Sequence, residues 1–164
     1  MQQAIILVGN SGAGKSTWAE KFVRENQNFV RVNKDSIRKC LVYTNSASGY
    51  WARDDNYILE IIVKNTMEQM ISLCHFHGKD IVVDGTNITQ ANLDYLLSIL
   101  EGRFDYTFRV FTISVEEARE RVMKREGLDC LDETRYLERY DVDFQNMLAY
   151  LVVNNYDKLT YNKI

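Results

Sequence analysis

Gly9-Asn10-Ser11-Gly12-Ala13-Gly14-Lys15-Ser16 follows a short apolar run, Ala4–Val8, and opens a helical pattern that begins at Lys15. The eight positions fit G-x-x-x-x-G-K-[S/T] in full, in the strand-then-helix setting that this pattern requires. The physical reason is electrostatic. Glycines let the backbone curl until successive N–H groups point at one anion, and the helix N-terminus adds a partial positive charge. Such a loop takes the phosphates of a nucleoside triphosphate. Lys15 is expected to reach the β- and γ-phosphates, the Ser16 hydroxyl to ligate Mg2+, and Thr17 to face the α-phosphate. Gly9, Asn10, Ser11, Gly12, Ala13, Gly14, Lys15, Ser16 and Thr17 are the candidate nucleotide-binding residues, with ATP the expected phosphate donor.

Strand and helix patterns alternate on both sides of this loop. Ala4–Val8 reads as a buried strand, and Phe29–Asn33, Asp80–Asp84 and Tyr106–Ile113 as a second, third and fourth. Leu159–Ile164 reads as a short edge strand. Helical patterns cover Lys15–Asn26, Ser36–Val42, Asp54–His77, Thr89–Leu100, Val115–Arg125 and Asp132–Val153, with Thr89 and Asp132 as expected N-caps. Residues 43–53, rich in Ser, Asn and Gly, read as a loop. This alternation predicts an α/β fold of the P-loop NTPase kind. The sheet is mostly parallel with four to five strands, helices lie on both faces, and ligands sit beyond the carboxyl ends of the strands. The expected organisation is one domain over the whole chain, with a helical lid at about residues 119–135.

The remaining composition narrows the class. A chain of 164 residues with 46 % hydrophobic content fits one ordinary core. No apolar window has the length of a membrane helix, and the N-terminus runs straight into a strand without a signal-peptide pattern. The three cysteines, Cys40, Cys74 and Cys130, are widely spaced and read as reduced thiols of a cytoplasmic protein. A net charge of −3 argues against non-specific coating of polyanions but leaves room for a local basic site.

One such site follows the second strand. In Asn33-Lys34-Asp35-Ser36-Ile37-Arg38, Asp35 and Arg38 stand three apart at the start of a helix and project on one side. A carboxylate there can take the proton of an attacking hydroxyl, and a guanidinium one turn on can hold a phosphate on the acceptor. The plainer alternative is that Asp35 caps the helix and Arg38 is its solvated partner. Arg31, Lys34, Arg38 and Lys39 surround Asp35 with four positive charges, a patch for a phosphorylated acceptor or simply a solvated surface run. The third strand ends in Asp84-Gly85-Thr86-Asn87. Asp84 is a second candidate at the metal, through a bound water or Ser16, and Thr86 and Asn87 are candidates to hydrogen-bond nucleotide or acceptor; the alternative is ordinary turn chemistry.

The helix at Val115–Arg125 carries Arg119, Arg121 and Arg125, followed by Glu126 and Gly127. Arginines that close over the γ-phosphoryl oxygens are a recurrent device in phosphoryl transfer. Arg121 and Arg125, four apart, are the candidates, whereas Arg119 is expected in surface salt bridges with Glu116, Glu117 or Glu120. Cys74-His75-Phe76-His77 ends a helix with no second ligand cluster and reads as structure rather than a metal site. Tyr50 and Trp51 are open between base stacking and a core contact, and Tyr136, Tyr140 and Tyr150 read as packing residues.

Together these motifs carry a resemblance. Gly9–Thr17 followed by Trp18, Val32-Asn33-Lys34-Asp35-Ser36-Ile37-Arg38, Asp84-Gly85-Thr86-Asn87, and Val110-Phe111 leading to Arg121 and Arg125 resemble the P-loop 5′-polynucleotide kinases, among them the kinase half of the bacteriophage kinase–phosphatase. The likeness spans about residues 3–150. It implies an ATP- and Mg2+-dependent kinase of 5′-hydroxyl ends of DNA or RNA. Asp35 is then the general base, Arg38 the ligand of the phosphate 3′ of the acceptor nucleoside, Arg125 a donor-phosphate contact, and Asp84 a neighbour of acceptor or metal. The chain ends where the bacteriophage member continues into a phosphatase domain, which implies 5′-only end healing beside a separate phosphatase or ligase partner. Glu126 departs from the more basic or small residue that the family places after Arg125. The same superfamily holds kinases of small-molecule hydroxyls and kinase-type toxins, which stay open as alternatives.

Overall fold

The computed structural model describes residues 1–42, 50, 53–127, 134–154 and 159–163. Its centre is a five-stranded sheet built from β1 (Gln2–Gly9), β2 (Phe29–Asn33), β3 (Asp80–Asp84), β4 (Phe104–Thr112) and β5 (Leu159–Lys163). The strand order is β2-β3-β1-β4-β5. All four pairings are parallel, in registers that include Ile5↔Val82, Val8↔Val110, Asn33↔Asp84 and Phe108↔Leu159. The expected tail strand is present as β5 at the sheet edge.

The helices are α1 (Lys15–Glu25), α2 (Lys34–Val42), α3 (Asn56–Phe76), α4 (Gln90–Leu100), α5 (Val115–Glu126) and α6 (Tyr136–Val153). They cover both faces, and β1 shows why. A strand sends alternate side chains to opposite faces, and both faces of β1 are apolar, as parallel sheets require. Ala4, Ile6 and Val8 join Met67 and Ile71 of α3, Leu93, Leu96 and Leu100 of α4, and Phe144, Met147 and Leu151 of α6 in one buried cluster. Leu7 points the other way, into a smaller cluster with Ala19 of α1, Val82 of β3 and Phe111 of β4. Ala118 and Val122 of α5 pack on Leu137 of α6 in a third cluster, which reaches the second through Ile113. Among the described residues no helix is long and apolar enough to cross a membrane.

Several boundaries move for identifiable reasons. Helix α2 begins at Lys34, two residues before the expected start, because the Asn33 side chain accepts the Ser36 N–H at 2.6 Å. Asn33 therefore performs the capping considered above for Asp35, which stands inside the helix. Thr89 precedes α4 as expected but makes no side-chain cap. Ser114 does cap α5, accepting the Glu117 N–H at 3.2 Å. Helix α6 begins at Tyr136, and the expected cap, Asp132, lies outside the described residues, as does most of the loop expected at 43–53. Tyr50, within that stretch, is 1 % exposed and helical, so it is a core residue and not a base-stacking surface. Trp51 and Cys130 lie outside the described residues.

Candidate active site

The phosphate loop begins where β1 ends. At Gly9 a Cβ would lie 2.5 Å from the Phe111 carbonyl oxygen of β4, so only glycine allows the two strands this approach. At Gly12 (φ +80°) a Cβ would lie 2.9 Å from the Ala118 carbonyl, which seats the loop against α5. Asn10 holds the curl from behind. Its Oδ1 accepts the Ser11 N–H at 2.8 Å and its Nδ2 donates to the Leu137 carbonyl at 3.2 Å. It is 2 % exposed. Gly14, in the left-handed region at φ 76°, stands at the N-cap of α1, so the first amides of α1 have no side-chain acceptor and are left for an anion.

Lys15 is folded back onto this loop. Its Nζ donates to the carbonyls of Gly9 and Asn10 at 2.9 and 2.6 Å. Burial pushes its pKa down to about 8, against the pull of Asp84 and Asp35 and with a small push from Arg125. A cation held at this cost is ready to gain from an incoming polyanion.

Asp84, at the end of β3, is 2 % exposed and fully engaged. Its Oδ1 accepts from the Ser16 hydroxyl at 3.3 Å. Its Oδ2 accepts from Arg31 Nε and Nη2 at 2.8 and 2.7 Å and from Asn33 Nδ2 at 3.0 Å. Asn33 Nδ2 also bonds the Asp84 carbonyl at 2.8 Å. Arg31 and Asn33 are two apart on β2, on the same face, and meet Asp84 across the β2–β3 register. Arg31 was expected in a basic patch around Asp35; instead it is paired with Asp84 and, at 3.1 Å, with Glu20. The phase of Arg31 and Asn33 on a strand that ends beside an acidic strand end is the signal that could have found them. Two hard oxygen donors 3.3 Å apart, Ser16 Oγ and Asp84 Oδ1, with Asp84 oriented from behind, form a donor set that suits a Mg2+ shared with phosphate oxygens.

At the start of α2 Asp35 is exposed and accepts from Arg38 Nη1 at 2.6 Å, as their spacing predicts. The other edge of the guanidinium is taken by Glu60 of α3, with Nε–Oε1 at 2.7 Å and Nη2–Oε2 at 2.8 Å. The Tyr50 hydroxyl donates to Glu60 Oε1 at 2.7 Å. Burial works against the charge of Arg38, but the bonds from Glu60 and Asp35 outweigh it and raise the pKa. For Glu60, burial is likewise outweighed by Arg38 and Tyr50, and the pKa falls. Glu60 was not anticipated from the sequence, because it lies 22 residues from Arg38 on another helix.

These parts surround one cleft of ≈ 280 Å³, lined by residues 11–17 together with Asn33, Asp35, Asp84, Gly85, Thr86, Arg121 and Arg125. Gly9 and Asn10 stand behind it as scaffold, and Arg38 reaches it through Asp35. Asn87, expected to face nucleotide or acceptor, is not among the residues that line the cleft. With φ 48° it turns its Nδ2 to the Leu7 carbonyl at 2.7 Å and ties the β3 turn to β1. Arg121 donates to the Gly12 carbonyl at 3.3 Å and pairs with Glu117 at 2.5 Å, the i,i+4 arrangement. Arg125 pairs with Glu126 at 2.8 Å. Arg119 pairs across to Glu138 of α6 at 2.8 Å, rather than with a glutamate of its own helix. Of the expected lid, residues 128–133 lie outside the described residues.

Residues 5–140 match the family model described as an AAA domain. A protein of the Autographa californica nuclear polyhedrosis virus, whose name pairs polynucleotide kinase with RNA ligase, is 27 % identical over 164 aligned residues, covering 95 % of this chain and 22 % of the viral protein. Among solved structures, one of the Pnkp1/Rnl/Hen1 RNA repair complex superposes with a TM-score of 0.76 at 25 % identity, over 91 % of this chain and 46 % of that one. A second structure of the Pnkp1/Rnl/Hen1 complex gives 0.61 at 29 % identity, over 73 % and 39 %. A chain of the PezAT chromosomal toxin–antitoxin system of Streptococcus pneumoniae shares the fold, with a TM-score of 0.70 at 18 % identity over 99 % and 68 %. The chain spans about a fifth of the viral relative and under half of each repair-complex chain.

Proposed function

The chain belongs to the AAA-domain family, and from that premise we propose that it is an ATP-dependent kinase that transfers the γ-phosphoryl group to the 5′-hydroxyl ends of polynucleotides. The observation that carries this reading is that Asp35, with Arg38 bonded to it, lines the same cleft as the phosphate loop. A loop alone needs no carboxylate opposite it; an acceptor hydroxyl does. The similarity to proteins named for polynucleotide kinase and RNA repair supports the choice of acceptor.

In this reading the amides of residues 11–17 bind the triphosphate, and Lys15 leaves the Gly9 and Asn10 carbonyls for the β- and γ-phosphates. Ser16 and Asp84 would hold a Mg2+ that arrives with the triphosphate, which would supply neutralisation of phosphate charge, and Arg31 and Asn33 keep Asp84 aimed. The acceptor 5′-oxygen attacks the γ-phosphorus while its proton passes to the Asp35 carboxylate. The bond to the β–γ bridging oxygen breaks and ADP leaves. Arg38, kept in orientation by Glu60, serves the phosphate on the 3′ side of the acceptor nucleoside. Arg121 and Arg125, on the second half of α5, exchange their glutamate partners for the γ-phosphoryl oxygens as a lid. Thr86 faces the acceptor. The product, a 5′-phosphate end, is what a ligase consumes, which fits a ligase partner.

A second reading, a kinase of a small-molecule hydroxyl, draws on the net charge of −3 and on an Arg38 already bonded to two carboxylates. An acceptor screen separates them. With γ-labelled ATP and Mg2+, label is expected on a 5′-OH oligonucleotide and not on nucleosides or sugar alcohols that lack a phosphate. Label on such alcohols alone would overturn the polynucleotide reading.

A further inference from the structure

Next to the cleft lies a second concavity, a groove of ≈ 400 Å³ whose walls include Lys34, Glu60, Lys64, Asn92 and Tyr95. It shares its rim with the acceptor side. Lys34 and Asp35 are successive residues at the start of α2, so their side chains diverge by about 100°. Asp35 lines the cleft and Lys34 the groove. Glu60 joins the two, since it bonds Arg38 and also lines the groove.

Two lysines, Lys34 and Lys64, line the groove. On α3, Glu60 and Lys64 are four apart and share a face. The Glu60 carboxylate is occupied by Arg38 and Tyr50. Across from them, the Tyr95 hydroxyl of α4 donates to Glu68, which fixes the ring as a wall and engages a second carboxylate. Lys64 Nζ lies 4.1 Å from the centroid of that ring. Among the described residues neither Lys34 nor Lys64 is in an ion pair, and the amide of Asn92 completes a polar wall. Burial, aided by the charges of Arg38 and Lys64 and opposed by those of Glu60 and Asp35, holds the pKa of Lys34 down. A desolvated cation of this kind gains from an incoming anion.

We propose that this groove is a second acceptor subsite, in which Lys34 and Lys64 bind the phosphodiesters that follow the phosphate held by Arg38 on a single-stranded polynucleotide. The proposal rests on the reading of the chain as a polynucleotide kinase and adds to it a dependence on strand length. A strand whose 5′-hydroxyl is at Asp35 and whose first phosphate is at Arg38 meets Lys34 next and Lys64 one helical turn along α3. A phosphorylated mononucleoside reaches Arg38 but not the groove.

The test compares two acceptors, a 5′-OH decanucleotide and a nucleoside 3′-phosphate, by their KM values with saturating ATP and Mg2+. For the wild type, KM for the decanucleotide is expected to be at least about tenfold lower. In Lys64→Ala, on an exposed helix face where folding is unaffected, that ratio shrinks by about fivefold, and in Lys64→Glu by more. Lys64→Arg retains it. The slope of log KM for the decanucleotide against log salt falls by about 0.7 in Lys64→Ala, the share of one phosphate contact on a single strand. A ratio and a salt slope equal to wild type in both Lys64→Ala and Lys64→Glu would overturn the subsite. Equal KM values for the two acceptors in the wild type would overturn it too, while leaving the kinase reading standing. Transfer to neither acceptor would remove the kinase reading itself, and the subsite with it.

Discussion

Lys15 is charged in a place where charge is costly, and that cost is measurable. Its pKa is pushed down to about 8 in the folded chain from an ordinary 10.5. Between those values the unfolded chain binds more protons than the folded one, so stability of the nucleotide-free protein rises with pH across this window, by at most about 3 kcal/mol. Below pH 8 the penalty is present in full. A bound triphosphate restores the charge, so binding takes up a proton above pH 8. Affinity for ATP is expected to be roughly twentyfold weaker at pH 9.5 than at pH 7.5, with calorimetric heats that depend on the ionisation enthalpy of the buffer. An affinity flat over that range would show that Lys15 is not desolvated. The position and charge of Lys15 were legible in the sequence because the loop is local. The partners of Asp84 and Arg38 were not. Arg31, Asn33 and Glu60 are separated from them by 53, 51 and 22 residues, and only the sheet register and the α2–α3 packing bring them together.

At the scale of elements, the junctions around the loop are set by backbone contact rather than by side-chain choice. Gly9 lets β1 pass β4, and Gly12 lets the loop sit on α5. Gly9→Ala forces its methyl group onto the Phe111 carbonyl. It is expected to lower stability by about 1–3 kcal/mol, read as an earlier urea midpoint with an unchanged slope, and to weaken ATP binding at the same time. Wild-type stability in this variant would mean that the two strands can part without cost. The strand and helix sequence itself was legible, since both faces of β1 and β3 are apolar and the helices keep the 3.6 period. The start of α2 was misread by two residues because Asn33 was counted as strand and not also as cap. The bond from Asn87 to the Leu7 carbonyl was not legible, because a residue in a turn after an acidic strand end looks alike in sequence whichever way its amide turns.

For the whole molecule, the decisive property is the parallel sheet. Because β1, β2 and β3 run in one direction, their ends deliver Gly9, Asn33 and Asp84 to the same edge, with the phosphate loop, Asp35 and the α5 arginines around them. The phosphate loop and the Asp35 carboxylate then line one cleft in a chain whose overall charge, −3, offers no general attraction to nucleic acid. Single-turnover transfer from γ-labelled ATP to a 5′-OH oligonucleotide, in the wild type and in Asp35→Asn, with ATP affinity measured on both, tests this arrangement most directly. Loss of the carboxylate base is predicted to slow transfer by about 10²–10⁴ while ATP affinity stays within about twofold. Equal transfer rates in the two proteins would contradict it.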